Sequence, residues 1–255
     1  MTVRASALLL TLLLPMAVAA AQQPAPQATD LTKMLPDLNS PAGVSTTLQW
    51  VLAITLLSLA PAVLVMVTCF TRIIVVLGLL RQALTTQNMP PNQVLFGLAI
   101  FMTLVVMAPV YNDVYTGAVG PYLGGRMTGK EAFAAGQQSV RRFMIRQIEG
   151  GRNTDDVYLF LDDELAGRKD LSWADVPIVS LIPAFVVSEL KIAFMIGFRI
   201  FLPFLVIDML VASVLVSMGL LMLPPVLVSL PFKLLLFILA DGWHLVVGTL
   251  MKSFG

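Results

Sequence analysis

The chain alternates long apolar runs with short polar breaks, and these runs determine its predicted helices. No charged residue occurs at positions 38–71 or 82–112. A helix rises 1.5 Å per residue and the hydrocarbon core of a bilayer is about 30 Å thick, so either run is long enough to cross a membrane. We predict membrane spans over 48–70, kinked near Pro61, and over 94–110.

A second apolar region extends over 176–255 and contains Pro203 and the pair Pro224–Pro225. Proline inside a helix removes a hydrogen bond and clashes with the preceding turn, so we expect breaks at both places. The predicted helical pieces are 178–201, 204–223 and 226–252. The fold class is therefore an all-α integral membrane protein, with a first hydrophobic helical hairpin over 46–112 and a second hydrophobic helical region over 176–255.

Positions 113–175 differ sharply from the rest, because they hold 18 of the 31 charged residues. Such a segment faces water, and it has too few apolar residues for a large independent domain. We predict a small polar helical segment outside the cytoplasm, with one helix over 128–148 and a second helix whose N-cap is Thr154. The apolar residues near one face of the first helix are Phe133, Val140, Met144 and Ile148.

The N-terminus has the pattern of a secretory signal peptide over 1–21. A basic residue precedes a short apolar stretch, and Ala21 ends a run of alanines that suits a signal peptidase. Cleavage after Ala21 places the mature N-terminus outside the cytoplasm, and a polar, proline-rich tether follows over 22–45. Arg72 and Arg81 then lie in a loop without acids, which the positive-inside rule assigns to the cytoplasmic side.

Composition agrees with a membrane location and excludes several classes of protein. Hydrophobic residues make up 58% of the chain and charged residues 12%, against about 45–50% and 25% in soluble domains. A net charge of +1 offers no basic field for nucleic acid. One cysteine and one histidine cannot form a disulfide framework or a zinc cluster. No nucleotide-binding, protease or hydrolase motif is present, so we expect no catalytic site, no metal and no cofactor.

Several charges lie inside the second apolar region, where each is costly. A charge at the centre of a bilayer costs roughly 2.5–3.5 kcal/mol on insertion scales, so it normally pairs, faces water or snorkels. Glu189 and Lys191 are two residues apart and point to different sides of a helix, so they cannot satisfy each other. We expect their partners to come from other helices or from other subunits.

Two other interpretations remain open for the charges of this region. Long side chains such as Lys191 and Arg199 can snorkel to a membrane surface. Asp241 and His244 are three residues apart, so a helix would bring them into contact and would allow a proton relay. A lone histidine near a membrane surface is more commonly structural.

The segment 217–225 is apolar but cannot be one regular helix, because it contains Gly219 and the pair Pro224–Pro225. One interpretation is an apolar loop that projects into a pore, where the unbranched side chains of Met218 and Met222 close around whatever passes. The alternative is a kinked transmembrane helix with methionine as a filler.

An ordered set of motifs runs along the chain: TCFTRIIVVL at 68–77, QNMPPNQV at 87–94, LPP at 223–225, LPFKL at 230–234 and DGW at 241–243. This set resembles the FliP family, the membrane proteins of the bacterial flagellar type III export gate. The resemblance extends over roughly 48–255 and also includes the signal peptide and the polar middle segment.

The resemblance implies a homo-oligomer, namely a pentamer joined by FliQ and FliR and working with other export-gate proteins. The ring would be the entry pore for unfolded flagellar proteins that leave the cell. It would lie in the bacterial inner membrane at the flagellar basal body, with the mature N-terminus and the polar segment on the periplasmic side. The chain would catalyse nothing, and energy would come from other components.

The resemblance also implies a pore constriction at 218–223, formed by Met218, Gly219, Leu220, Leu221, Met222 and Leu223. The match is partial, because Leu220 and Leu221 stand where more methionine is expected. The buried charges would then pack against neighbouring subunits, with Glu189, Asp208 and Lys233 in an intersubunit ion-pair network that holds the ring together. The alternative function is a stand-alone multispan transporter or ion channel. An intramembrane enzyme is disfavoured, because Cys69 and His244 are 175 positions apart.

Overall fold

The structure, a computed structural model, describes residues 41–86, 89–168, 170–220 and 222–255. The predicted signal peptide, the cleavage site at Ala21 and most of the predicted tether lie outside these residues. Residues 41–45, which the sequence pattern assigned to the tether, already belong to the first helix.

All regular structure in the described residues is helical. The α-helices are α1 (Pro41–Met66), α2 (Phe70–Ala83), α3 (Asn92–Val114), α4 (Gly120–Leu123), α5 (Gly129–Gly150), α6 (Asp163–Ala166), α7 (Ile178–Ser217), α8 (Pro225–Leu239) and α9 (Gly242–Lys252). Three stretches are long and apolar enough to cross a membrane: Leu48–Met66, Asn92–Leu123 and Ile178–Ser217. The bent pair of α8 and α9 makes a fourth if it forms one span. The prediction of an all-α membrane protein is confirmed at this level.

The chain divides after Ala60 into two units. The described part of the first unit is the helical stretch 41–60, and every side chain from Leu48 to Leu59 is exposed. The helix does not end at Pro61 but continues to Met66. The predicted end of this span at Phe70 is therefore wrong, because a short break at residues 67–69 separates α1 from α2.

The second unit, residues 61–255, is organised around α7, which packs against α2, α5, α8 and the 3₁₀-helix Thr154–Phe160. One face of α2 is buried against α7 and α3, through apolar residues that include Ile73, Leu77 and Leu80. Gly197 of α7 lets the two helices approach closely, because a Cβ at that position would lie 2.2 Å from Leu79 Cδ1. The predicted loop that held Arg72 and Arg81 is thus a helix that packs against α7 and α3.

The second predicted span is longer than its apolar pattern suggested. A π-helix, Tyr115–Val119, continues α3 directly into α4, so the helical path runs from Asn92 to Leu123. Asp113, where the predicted polar segment begins, lies within α3. Backbone groups inside a membrane must be paired within the chain, which favours continuing the helix past a single charge.

The polar segment contains the predicted long helix, with a well-defined start. Thr128 is the N-cap of α5 and forms a capping box with Glu131. Met144 and Ile148 are buried as expected, whereas Phe133 is exposed. The next helix is a short 3₁₀-helix, Thr154–Phe160, and its N-cap is Asn153; the prediction of Thr154 as the N-cap is wrong by one residue.

The helix α7 extends over 40 residues without a break. The predicted interruption at Pro203 is wrong, because a proline can remain inside a membrane helix when neighbouring groups satisfy the freed carbonyl. The break before Pro225 is confirmed. The last predicted piece is divided at Asp241, which has a φ of +48°, and α8 and α9 are bent by 64° there.

Candidate functional site

Arg72 and Glu189 form an ion pair that is fully buried in the second unit. Arg72 Nε donates to Glu189 Oε2 at 2.9 Å, and Nη2 donates to Oε1, so the pair is bidentate. The sequence pattern had placed these residues in a loop and in a span. The fold instead brings α2 and α7 together at this point.

The rest of the Arg72 guanidinium is also satisfied. Nη1 donates to the Ser253 carbonyl at 2.6 Å and to Ser253 Oγ at 3.0 Å, and Nη2 donates to Gln147 Oε1 at 3.0 Å. The ring of Phe254 lies 4.0 Å from Cζ in a cation–π contact. The five N–H groups of one arginine therefore connect α2, α5, α7 and the residues after α9. We call Arg72, Gln147, Glu189 and Ser253 the arginine cluster.

A second buried ion pair lies between α7 and α8. Lys233 Nζ is 2.6 Å from Asp208 Oδ2, and Ser229 Oγ donates to Asp208 Oδ1 at 2.5 Å. Lys233 also donates to the Ala83 carbonyl at 3.2 Å, at the C-terminal end of α2, where a cation complements the helix dipole. Lys233 is completely buried, but 28% of the Asp208 side chain is exposed. We call Ser229, Asp208, Lys233 and the Ala83 carbonyl the lysine cluster.

The predicted network of Glu189, Asp208 and Lys233 is therefore divided between two clusters. Each pair forms within one chain, and Glu189 is neutralised by Arg72 rather than by Lys233. The pairing of buried charges across helices was expected; the particular partner of Glu189 was not. A contribution of these residues to contacts between subunits stays a prediction.

The remaining charges of the second apolar region have different environments. Lys191 pairs with buried Asp156 of the polar segment, which ties this segment to α7. Arg199 is exposed and donates to Met195 Sδ at 3.6 Å. Among the described residues, no hydrogen bond joins the side chains of Asp241 and His244, and the proton relay gains no support from this geometry.

Arg72 was predicted as a charge that orients the chain from an exposed loop, but it lies on a helix and is buried. Arg81 also lies on α2, and its side chain is half-buried. The sequence does contain a pattern that indicates a helix here. Positions 72, 76, 80 and 83 follow helical spacing, and three of the four residues are apolar. Arg72 therefore belongs to the buried face of an amphipathic helix. The side of the membrane that these residues face stays a prediction.

The turn between α7 and α8 has a defined local geometry. Gly219 has a φ of +74°, its N–H donates to the Val216 carbonyl at 3.0 Å, and the Leu220 N–H donates to the Leu215 carbonyl at 2.9 Å. This pair of bonds around a left-handed residue is the Schellman motif. The helix ends because glycine adopts this conformation without strain, and Pro225 then begins the next helix.

The side chains of this turn are apolar and uncovered within one chain. Met222 is 99% exposed and Met218 is 66% exposed, while Leu220 and Leu223 are partly exposed. Leu221 lies outside the described residues. The predicted departure from helical register at this segment is confirmed by the turn, and the alternative of one kinked helix is excluded. That the segment 218–223 forms a pore constriction is a separate prediction.

Comparison with known proteins identifies the family to which these elements belong. The FliP family profile matches residues 53–250, which include both clusters and the turn. The chain belongs to the FliP family. It is 46% identical to the flagellar biosynthetic protein FliP of Bacillus subtilis over 216 residues, which cover 85% of this chain and 96% of that protein.

Other members of the FliP family show the same level of similarity. The Caulobacter vibrioides protein is 49% identical over 206 residues, covering 81% of this chain and 76% of the relative. The Pectobacterium carotovorum protein is 50% identical over 207 residues, covering 81% and 78%. The chain is thus a non-enzymatic membrane component of the flagellar export apparatus.

The chemistry of the described residues agrees with a structural role. No group of three or more histidine, cysteine or acidic side chains that could hold a metal ion occurs in the described ranges. Burial raises the pKa of the Cys69 thiol to about 12, so this thiol stays protonated at neutral pH. The two clusters consist of paired charges with satisfied hydrogen bonds, which hold helices together.

Proposed function

We propose that the chain is the pore-forming subunit of the flagellar protein export gate. Several copies, a pentamer in this proposal, assemble with FliQ and FliR around an axis in the inner membrane. The ring conducts unfolded flagellar proteins out of the cytoplasm. The turn at 218–223 from each copy forms an apolar collar that closes the channel when no substrate passes.

The exposed apolar turn is the observation that carries this proposal. A side chain as apolar as Met222 with 99% exposure needs a neighbour that a single chain does not provide. An apolar constriction resists ions because it expels water, and methionine can repack around many shapes. The lysine cluster supports the role of the turn, because it joins α8 to α7, the two helices that this turn connects.

The exposed apolar surface of the helices supports assembly of several chains. Large apolar side chains are exposed along α7, among them Phe194, Phe198 and Leu202, and along α8, among them Phe232 and Leu235. Lipid covers such surfaces, and so do the matching surfaces of neighbouring subunits. In the proposed orientation, the polar segment lies in the periplasm and the α2–α3 turn beside Arg81 lies on the cytoplasmic side.

The test of the proposal is the conductance of the purified complex in planar bilayers. Replacing Met218 and Met222 with alanine enlarges an apolar collar, so we expect a raised ion conductance with the subunit composition unchanged. Met209→Ala is the matched control, because Met209 is an exposed methionine of α7 away from the turn. The control should conduct as the parent does.

Two results would contradict the proposal. Equal conductance of the parent and the double variant, with assembly intact, would show that the turn does not close a pore. A complex that contains one copy of the chain without FliQ and FliR, and that conducts ions selectively, would favour the stand-alone transporter or channel. Export of flagellar proteins by cells that carry each variant gives an independent readout.

A further inference from the structure

A groove of about 460 Å³ lies between the C-terminal half of α2 and the N-terminal half of α3. Its walls are apolar along most of its length, with Ile74 and Gly78 from α2 and Leu95 and Phe96 from α3. The Phe96 ring is held by an edge-to-face contact with Phe70, at 5.4 Å between ring centroids. A Cβ at Gly78 would meet no atom within 4 Å, so the groove is open at this position.

The other end of the groove is polar and positively charged. Arg81 lines this end with Asn92 and Gln93, and its Nη1 donates to Asn92 Oδ1 and, at 3.5 Å, to the Pro90 carbonyl. These bonds fix the guanidinium over the mouth of the groove. No acidic residue occurs between positions 82 and 112, so the loop beside Arg81 supplies no carboxylate. Arg81 forms no salt bridge with an acid of the described residues, so its charge is available to an anion from outside the chain.

The position of this charge along the helices suggests where the anion comes from. The candidate span Asn92–Leu123 begins beside Arg81, so the polar end of the groove lies at the level where a span meets the headgroups. From Ile74 to Arg81, α2 rises about 10 Å, so the apolar part of the groove extends from that level toward the hydrocarbon core. Basic pockets between membrane helices at this level suit acidic headgroups.

We propose that this groove binds one anionic phospholipid. Arg81 contacts the phosphate, Asn92 holds the guanidinium in place, and the upper part of one acyl chain lies along Ile74, Gly78 and Phe96. The volume falls within the range of about 300–1,000 Å³ that is usual for small-molecule sites. This inference does not depend on the pore, because no residue that lines the groove belongs to the turn at 218–223.

Native mass spectrometry of the purified full-length protein tests the site, with titration of phosphatidylglycerol or phosphatidylcholine. The parent should bind phosphatidylglycerol about fivefold more tightly, the factor expected for one basic residue near a phosphate. Arg81→Gln should remove this preference. Gly78→Leu should weaken the binding of both lipids, because its side chain fills the groove while Arg81 remains. Arg199→Gln, which neutralises an exposed arginine of α7, should leave the preference unchanged.

Three results would overturn the proposal. An equal loss of preference in Arg81→Gln and Arg199→Gln would mean that basic residues attract the lipid in general, without a built site. Unchanged binding in Gly78→Leu would mean that no acyl chain occupies the groove. Displacement of phosphatidylglycerol by inorganic phosphate at similar concentration would assign the end at Arg81 to a free anion. Helical circular dichroism equal to that of the parent confirms that each variant is folded.

Discussion

The two charge clusters differ in how completely their charged side chains are buried. In the arginine cluster, both charged side chains are fully buried and every N–H of Arg72 has an acceptor. In the lysine cluster, Lys233 is buried while part of Asp208 remains exposed, and two acceptors serve the ammonium group. The first cluster joins α2, α5, α7 and the residues after α9. The second joins α2, α7 and α8, and the turn at 218–223 connects the last two of these helices.

This difference separates a structural role from a positioning role. If a fully buried pair loses one partner, the other charge remains uncompensated in an apolar interior. The arginine cluster therefore acts as a rigid contact between helices. Water can reach Asp208 and partly compensate for a lost partner. The lysine cluster therefore tolerates a change in its side-chain contacts better than the arginine cluster does. This tolerance suits a contact that positions α8 relative to α7, the two helices that the turn at 218–223 connects.

The largest effect is expected for Arg72→Met. The change leaves Glu189 buried without a counter-charge, and breaking such a pair costs about 3–5 kcal/mol. The free energy of unfolding in detergent, measured by chemical denaturation, should fall by that amount. Combining Arg72→Met with Glu189→Leu should recover most of the loss. Arg168→Ala is the control, because Arg168 is 44% exposed and should have almost no effect. A small effect of Arg72→Met would remove the distinction between the clusters.

A smaller loss is expected for Lys233→Ala, about 1–3 kcal/mol, because water reaches Asp208 while the Ala83 carbonyl loses its donor. The same change should also prevent stable assembly of the proposed ring, which native gels measure. Asp208→Asn keeps the shape of the side chain and should show an intermediate effect in both measurements. An intact ring with Lys233→Ala would mean that this cluster does not control assembly.

The role of Gly219 in the turn at 218–223 is tested by Gly219→Ala. A left-handed conformation costs a residue with a Cβ roughly 1–2 kcal/mol, so the unfolding free energy should fall by about that amount. Gly248→Ala is the matched control, since Gly248 lies within α9, has no left-handed φ, and a Cβ there meets nothing within 4 Å. The control should be neutral or slightly stabilising. Equal effects of the two changes would show that the Schellman motif does not define the turn.

The smallest effect concerns α5, the helix that supplies Gln147 to the arginine cluster. The backbone N–H and the hydroxyl of Thr128 donate to the Glu131 carboxylate and lower the pKa of that carboxyl. Because the folded pKa is depressed, the contribution of this capping box is complete above the unfolded pKa of Glu131 and disappears as the pH falls through the folded pKa. The protection of the amides at the start of α5 against hydrogen exchange, relative to their intrinsic exchange rates, should therefore fall in acid.

The control for this prediction is Glu131→Gln, which keeps the shape of the box without a titrating group. Exchange at the start of α5, corrected for its intrinsic pH dependence, should then be independent of pH in this range. If the parent and the variant respond identically to acid, the titration of Glu131 does not stabilise the start of the helix.

Local patterns in the sequence were sufficient for much of this architecture. The apolar runs predicted membrane helices, and the residue pattern at 128–148 predicted a helix beginning near Thr128. Gly219 and Pro224–Pro225 predicted a departure from helical structure, because their backbone preferences act on their immediate neighbours. An ordered set of short motifs was sufficient to identify the family.

Other features depended on contacts between distant parts of the chain. Arg72 and Glu189 are 117 positions apart, and only the packing of α2 against α7 makes them partners. The continuity of α7 through Pro203 depends on its surroundings and not on the proline itself. Residue preferences along a chain fix which segments are helical and apolar. The pairing of buried charges is decided by which helix faces meet, because a charge in an apolar interior is stable only beside its counter-charge.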